Sequence, residues 1–313
     1  MRPFLLKPAF KDYLWGGDKL KRFYNKRADL DLIAESWELS VCKDGESVIA
    51  SGKLSGMTLR EFAQKYPALL GAKGGIKLLI KLIDAKQDLS VQVHPDDAYA
   101  ARVENDTGKT EVWHVLECEP GAFLYYGFAK KTAVEEICGR IHDNTITEIL
   151  RKVYVKPGDT IFIPAGTIHA VGAGIVIAEI QQNSNLTYRV YDFDRRGADG
   201  KPRELHVQKA LDVMKLEPSA PNIGNPPVDE ASGYTVSRLA SCEYFTVDKL
   251  MLNGAWTRET DGDYLSVLCT DGEGVLDCGG SLAVKKGDSI FIPADNPHFS
   301  ISGTGSFLIS SQN

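Results

Sequence analysis

One segment of this chain occurs twice. Gly158-Asp-Thr-Ile-Phe-Ile-Pro-Ala-Gly-Thr-Ile-His169 returns as Gly287-Asp-Ser-Ile-Phe-Ile-Pro-Ala-Asp-Asn-Pro-His298. Gly, Asp, Ile-Phe-Ile-Pro-Ala and the closing His keep one register. Two copies of one supersecondary unit imply two related domains, and 313 residues are enough to build them. Between the copies, Glu217–Gly233 carries Pro218, Pro221, Pro226, Pro227 and Gly224. That composition marks a linker. The expected division is therefore 1–216, a linker over 217–233, and 234–313.

The local patterns predict a mainly β protein. Strand-like runs cover Ile76–Asp84, Leu89–His94, Thr110–Glu117, Ala122–Phe128, Lys152–Val155, Thr160–Ile163, Ile175–Gln182 and Thr187–Tyr191. An earlier run, Ala34–Val41, also alternates. Thr58-Leu-Arg-Glu61 is a capping box, and Pro67 ends the helix it starts. Thr132-x-x-Glu135 and Thr145-x-x-Glu148 read as two further boxes, opening a small helical insertion over about 130–151. Glu204–Leu216 has helical periodicity, after a charged loop over Phe193–Arg203. Beyond Tyr234, turns are expected at Gly254, Asp261-Gly262, Asp271-Gly272, Gly279-Gly280 and Lys286-Gly287. Many short, evenly spaced strands point to a closed sandwich or barrel.

Composition narrows the function. The chain is 43% hydrophobic and 25% charged, with a formal net charge of -6. That balance argues against disorder and against a general nucleic-acid or anionic-membrane partner. The apolar run at Ile76–Ile83 is broken by Lys77 and Lys81, so it is not a membrane span. The N-terminal apolar run is too short for a signal peptide. Cys42, Cys118, Cys138, Cys242, Cys269 and Cys278 form no C-x-x-C pair. Free thiols in a cytoplasmic protein are the expectation.

Chemistry concentrates in Leu89-Ser-Val-Gln-Val-His-Pro-Asp-Asp97. On a strand, Val91 and Val93 share one face, and Ser90, Gln92 and His94 the other. Alone, this fits a solvated face or a histidine satisfied by hydrogen bonds. Two later strand-like segments add Glu111 and His169. Gln92, His94, Glu111 and His169 would together make a mixed nitrogen and oxygen site suited to a divalent ion such as zinc. Parity on Thr110–Glu117 turns Glu111 inward and leaves His114 a structural residue, since the two cannot face one site from a regular strand.

Gly158, Pro164, Gly166 and His169 resemble the second motif of the cupin barrel, a small jelly roll. The later copy departs at Asp295, and Asp263–Asp271 upstream offers no Gln or His. The resemblance therefore implies two cupin barrels, the second degenerate and without metal, with His298 structural. The more specific likeness is to type I phosphomannose isomerases in their short bacterial form. It is carried by Val91-Gln-Val-His-Pro-Asp96, Gly108-Lys-Thr-Glu111 and Pro-Ala-Gly-Thr-Ile-His169, and extends from Trp15-Gly16-Gly17 to Glu204-Leu-His-Val-Gln-Lys-Ala210.

That resemblance implies interconversion of mannose 6-phosphate and fructose 6-phosphate through an enediol. It implies one zinc per chain on Gln92, His94, Glu111 and His169. It also brings Arg189, Lys109, Glu179 and Lys81 to the reacting sugar, with Arg189 and Lys109 ranked first. Arg189 suits an oxyanion or a phosphate, and Glu179 is a rival to Lys109 as base. The expected partner is a small sugar phosphate, with no nucleic acid and no membrane; the oligomeric state is left open. Other readings are a different metal-dependent cupin enzyme, such as an oxygenase or another sugar-phosphate isomerase, and a non-catalytic sugar-binding bicupin.

Overall fold

The structure is a computed structural model of the chain and describes every residue except Ala198, Asp199 and Pro226. Two facing sheets make the first barrel. One has six strands in the spatial order Thr160–Ile163, Glu111–Cys118, Ile175–Gln182, Leu78–Ala85, Glu35–Leu39 and Ala9–Lys11. The other has five: Leu150–Tyr154, Phe123–Phe128, His169–Val171, Val91–Val93 and Tyr188–Tyr191. Ile83, Trp113, Ile161 and Ile177 from the first sheet meet Leu124, Tyr126 and Val171 from the second in one core.

Leu78–Ala85 and Ile175–Gln182 are buried at every position. A strand covered on both faces reads as a continuous apolar run, because neither side meets water. Here one face fills the first barrel. The other carries Leu78, Ile80, Leu82, Val176, Ala178 and Ile180 into a core shared with Phe245, Val247, Phe291 and Leu308. The six-stranded sheet is thus the wall between the two halves of the molecule. The polar residues inside these runs, Lys81, Glu179 and Gln181, stand out because burial makes an unpaired polar group expensive.

The five-stranded sheet is covered on its outer face by helices. Ile137 and Ile141 of Val134–His142 pack there with Ile146 and Ile149, and Ala210 of Val207–Val213 joins them. Neither expected capping box in this insertion forms. The helix starts after Ala133, and Thr132 Oγ1 instead donates to the Lys130 carbonyl at 2.9 Å. Thr145 precedes only a short 3-10 turn, Ile146–Ile149, with no side-chain cap. The box at Thr58 and Glu61 is complete.

The last part of the chain supplies seven strands of a nine-stranded sheet, joined by Phe4–Lys7 and Val48–Ile49 from the N-terminal part and curled about a core of Val236, Leu250, Leu265, Val267, Ile290 and Ile309. Two expected turns are not turns. Gly254 lies inside the strand Phe245–Glu259, and Asp271-Gly272 inside Leu265–Asp277, where the register shifts. Glycine there bends a long strand rather than ending it. Gly272 has φ of 72°, and a Cβ at that position would stand 2.1 Å from the Thr304 carbonyl oxygen.

The chain crosses the expected boundaries at both ends. Phe4–Lys7 pairs with Ser289–Ile292 and Val48–Ile49 pairs outside it, so two N-terminal strands extend the nine-stranded sheet. Pro227–Ala231, in the expected linker, is an exposed edge strand on Tyr234–Ser241. An edge strand with no buried face has no apolar alternation to betray it, and a leading Pro is tolerated there. Pro226 lies outside the described residues.

Candidate active site

Val91 and Val93 point into the helix-covered core. Gln92 between them must therefore point inward, and His94 two positions on follows it. His169 opens its strand directly opposite Gln92. Glu111 opens a strand of the facing sheet, opposite Ile163 and Gln181. The two sheets thus bring three ligand-type side chains to one point.

His94 Nε2 stands 3.5 Å from Glu111 Oε2, and His169 Nε2 stands 3.3 Å from Glu111 Oε1. The ligand-type atoms of the three residues all lie within 4.8 Å of one another, and all three residues are buried. The tautomers follow from the backbone. His94 Nδ1 meets the Leu186 carbonyl at 2.8 Å, and His169 Nδ1 meets the Thr167 carbonyl at 2.8 Å. Each Nδ1 therefore carries the proton and donates it, which leaves each Nε2 lone pair aimed at Glu111. Burial lowers both imidazoles, His169 to about 4, so both are neutral near pH 7. His94 Nε2 and both Glu111 carboxylate oxygens are buried without a hydrogen-bond partner. Orphaned acceptors at one point are costly, and a divalent cation among them resolves the cost. The residues fit a metal ion. Gln92 reaches the same point, its amide 3.5 Å from His169 Nε2.

A second polar group crosses the sheet beside this cluster. Trp37, Lys81, Glu179 and Trp113 are successive register partners on four neighbouring strands. Lys81 Nζ lies 3.2 Å from Glu179 Oε1 and 3.7 Å from Glu35 Oε2. Trp113 Nε1 donates to Glu179 at 2.9 Å, and Trp37 Nε1 donates to Glu35 at 2.6 Å. Burial works against the Lys81 charge, but Glu35 and Glu179 more than offset it and hold the ammonium above the ordinary lysine range. Burial likewise pushes the Glu179 carboxyl up. The charges of Lys81 and Lys109 outweigh that and hold it below the usual carboxylate range. Lys109 Nζ lies 3.2 Å from Glu111 Oε2 and links the two groups.

A cavity of about 360 Å³ opens onto both groups, lined by Gln92, Lys109, Lys81, Glu179 and Arg189. His94, Glu111 and His169 lie buried behind its wall. Arg189 is the register partner of Gln92, and its Nε faces Ser90 Oγ at 3.3 Å. All eight residues singled out in the sequence therefore lie in or directly behind one cavity. His114 is on the opposite face of its strand, with Nδ1 2.9 Å from Thr160 Oγ1, and His298 is exposed.

Sequence reasoning missed Glu35, Trp113 and Arg203, which also line the cavity. Glu35 and Trp113 had a usable signal, since each is a polar-capable residue on the inward parity of a buried strand. Arg203 had none, because it closes an irregular charged loop.

Two family descriptions match. "Phosphomannose isomerase type I, catalytic domain" covers residues 4–111, and "Mannose-6-phosphate isomerase, cupin domain" covers residues 235–312. The chain is 38% identical over 312 residues to mannose-6-phosphate isomerase ManA of Bacillus subtilis, spanning 98% of each. It belongs to the mannose-6-phosphate isomerase family. A family member from Streptococcus mutans is 36% identical over 93% of this chain and 92% of that one. The crystal structure of the mannose 6-phosphate isomerase from Bacillus subtilis superposes with a TM-score of 0.92 at 33% identity, over 99% of this chain and all of that one. The structure of a putative mannosephosphate isomerase from Archaeoglobus fulgidus, at 22% identity and a TM-score of 0.81, shares the fold.

Proposed function

We propose that this protein interconverts mannose 6-phosphate and fructose 6-phosphate, with one zinc ion held by Gln92, His94, Glu111 and His169. The carrying observation is the set of orphaned buried acceptors on His94 and Glu111, beside two buried lysines in one cavity, in a chain of this family. Zinc accepts this mixed nitrogen and oxygen set and, when bound, polarises or orients oxygens at the reacting end of the sugar.

The chain's own residues divide the remaining work. Lys81, protonated between Glu35 and Glu179, acts as a fixed cation and hydrogen-bond donor for charge that builds on a sugar oxygen. Glu179 is a weak base, because two ammonium groups stabilise its charged form. Its part is to hold Lys81. Lys109 faces the cavity from beside the ligand cluster; a bound cation next to it would favour its amine form, and in that form it would carry the proton between the two carbons of the enediol. Arg189 binds an anionic part of the substrate.

The division into barrels over 1–216 and 234–313, joined across 217–233, belongs to this reading. Phe4–Lys7 is then lent to the second barrel. Working in a reducing cytoplasm fits six unpaired cysteines.

A coupled assay tests the function: mannose 6-phosphate is supplied and fructose 6-phosphate is detected, before and after a chelator. Turnover abolished by the chelator and restored by zinc is the expected result. No turnover from protein shown to hold its metal would overturn the reading.

A further inference from the structure

Conversion of an aldose to a ketose moves a proton from C2 to C1, and it also moves a proton from the oxygen on C2 to the oxygen on C1. Lys109 serves the carbons. The oxygens still need a carrier, which must face the cavity with a free lone pair and be stable with or without the proton.

Two carboxylates line the cavity, Glu35 and Glu179. Glu179 is occupied at both oxygens. Its Oε2 accepts from Trp113 Nε1 at 2.9 Å, and its Oε1, 3.2 Å from Lys81 Nζ, is buried. Glu35 is anchored at one oxygen only. Trp37 Nε1 donates to Oε2 at 2.6 Å, and Lys81 Nζ stands 3.7 Å from that same atom. Glu35 Oε1 has no partner among the described residues and is not sealed from the cavity. The Glu35 side chain is 10% exposed, against 4% for Glu179. Of the two carboxylates, Glu35 is the one that presents a lone pair to a ligand.

Charge favours the same residue. Glu35 and Glu179 set two negative charges against the single ammonium of Lys81. A proton arriving on Glu35 leaves the buried group neutral, with Lys81 still paired to Glu179 at the shorter distance. A proton arriving on Glu179 would break that closer pair. Trp37 fixes the arrangement from below, since its N–H holds Glu35 and its ring face lies 5.1 Å from Lys81 Nζ. The open oxygen is thus presented from a set position, as proton transfer over hydrogen-bond reach requires.

We propose that Glu35 is a catalytic residue of the isomerisation, carrying the hydroxyl proton between the two oxygens of the enediol. From aldose to ketose, Lys109 as the amine takes the C2 proton. The C2 electron pair forms the bond between C1 and C2, and the carbonyl pair moves onto the oxygen of C1. Glu35 Oε1 then takes the proton from the hydroxyl on C2 and passes it to the oxygen of C1, so the negative charge moves to the oxygen of C2. Lys109 gives its proton to C1 as the carbonyl at C2 forms. Both groups end as they began. The proposal rests on the isomerase reading above and names the group that completes its proton transfers.

The test compares metal-replete, full-length wild type with Glu35→Gln, which keeps the shape and an acceptor for Trp37 but is no base. Mannose 6-phosphate is supplied in D2O. The rates measured are formation of fructose 6-phosphate and entry of deuterium at C2 of the recovered mannose 6-phosphate. In E35Q, kcat should fall about a hundredfold and deuterium entry less than about fivefold, so the ratio of exchange to turnover rises by about tenfold or more. Metal per chain, by elemental analysis, should not change. Equal falls in both rates would mark a structural role and overturn the proposal. So would a kcat within about twofold of wild type, or loss of metal in step with activity. Should E35Q not fold, Glu35→Asp takes its place. It withdraws the carboxylate by one methylene, so kcat should fall at least about fivefold with exchange falling less, and an unchanged kcat overturns the proposal. Metal-replete wild type that neither forms fructose 6-phosphate nor exchanges at C2 would sink the isomerase reading itself. An active wild type with an unchanged ratio in E35Q sinks the proposal and leaves that reading standing.

Discussion

Glu111 is the residue on which the site turns. Both its oxygens are buried without a hydrogen-bond partner, and two imidazole Nε2 atoms and an ammonium converge on them. Glu111→Gln keeps the shape and removes the charge, and His169→Ala removes one imidazole. Either is expected to lower bound metal by about tenfold or more, with activity falling in step, as is usual when a ligand is lost. Metal per chain by elemental analysis, read beside turnover, checks it; full occupancy in either variant would remove that residue from the ligand set. At this scale the sequence was informative. Gln92, His94, Glu111 and His169 were legible because each is a polar residue at inward parity among apolar neighbours. The partners of Lys81 were not. Glu35 lies 46 positions away in sequence and Glu179 lies 98 away (81 − 35 and 179 − 81), and no local pattern joins them.

At the scale of the element, parity decided a question that residue type left open. Glu111 and His114 are three apart on Glu111–Cys118 and must face opposite ways. His114 is buried against Thr160, and burial lowers it to about 3. An unfolded histidine titrates near 6.5. Between these values the unfolded chain binds the extra proton and the folded one does not. Stability is therefore expected to fall as pH drops from about 6.5 toward 3. Replacing the residue, His114→Gln, removes this part of the slope. The wild-type loss between pH 7 and pH 4 should exceed the variant's by no more than about 3 kcal/mol. Urea unfolding at the two pH values measures it, and equal losses would show that His114 is not a buried neutral group. Element identity was largely readable, since Thr160–Ile163 and Ile175–Gln182 begin and end where alternation and apolar runs predict. The box at Thr58 was readable too, but the caps of the insertion and the strand bends were not. A Thr-x-x-Glu string is a capping box only if the helix begins beside it, and Gly272 ends a strand only if no partner strand holds the chain on both sides.

Across the whole molecule, the two halves are bound by more than apolar contact. Lys26 Nζ lies 2.6 Å from Glu38 Oε1 and donates to the Gly287 carbonyl at 2.5 Å. Lys26 is 5% exposed and Glu38 is fully buried, so the pair ties the first barrel to a turn of the second where water is excluded. Lys26→Met would strand the Glu38 carboxylate and should destabilise the protein by about 3–5 kcal/mol. The double variant Lys26→Met with Glu38→Leu should recover most of that loss, because neither charge is then left unpaired. Denaturant midpoints of the three proteins check this, and a harmless single variant would show that the pair carries no weight at the junction. Such a contact between residues 26 and 38 and a carbonyl at 287 has no trace in local sequence.

The sequence by itself determined the things that depend on near neighbours. These are the alternation and apolar runs that make strands, the doubled segment that makes two barrels, and the inward parity of each ligand-type residue. Only the tertiary structure decided which of those residues meet. Glu111 joins His94 and His169 through the register of facing sheets. Phe4–Lys7 pairs with a strand, Ser289–Ile292, that lies almost 290 residues further on in the chain. Periodicity is a local property, fixed by how side chains alternate along the backbone. Register between distant strands is a property of the packed whole, settled by which buried faces and buried charges can all be satisfied at once.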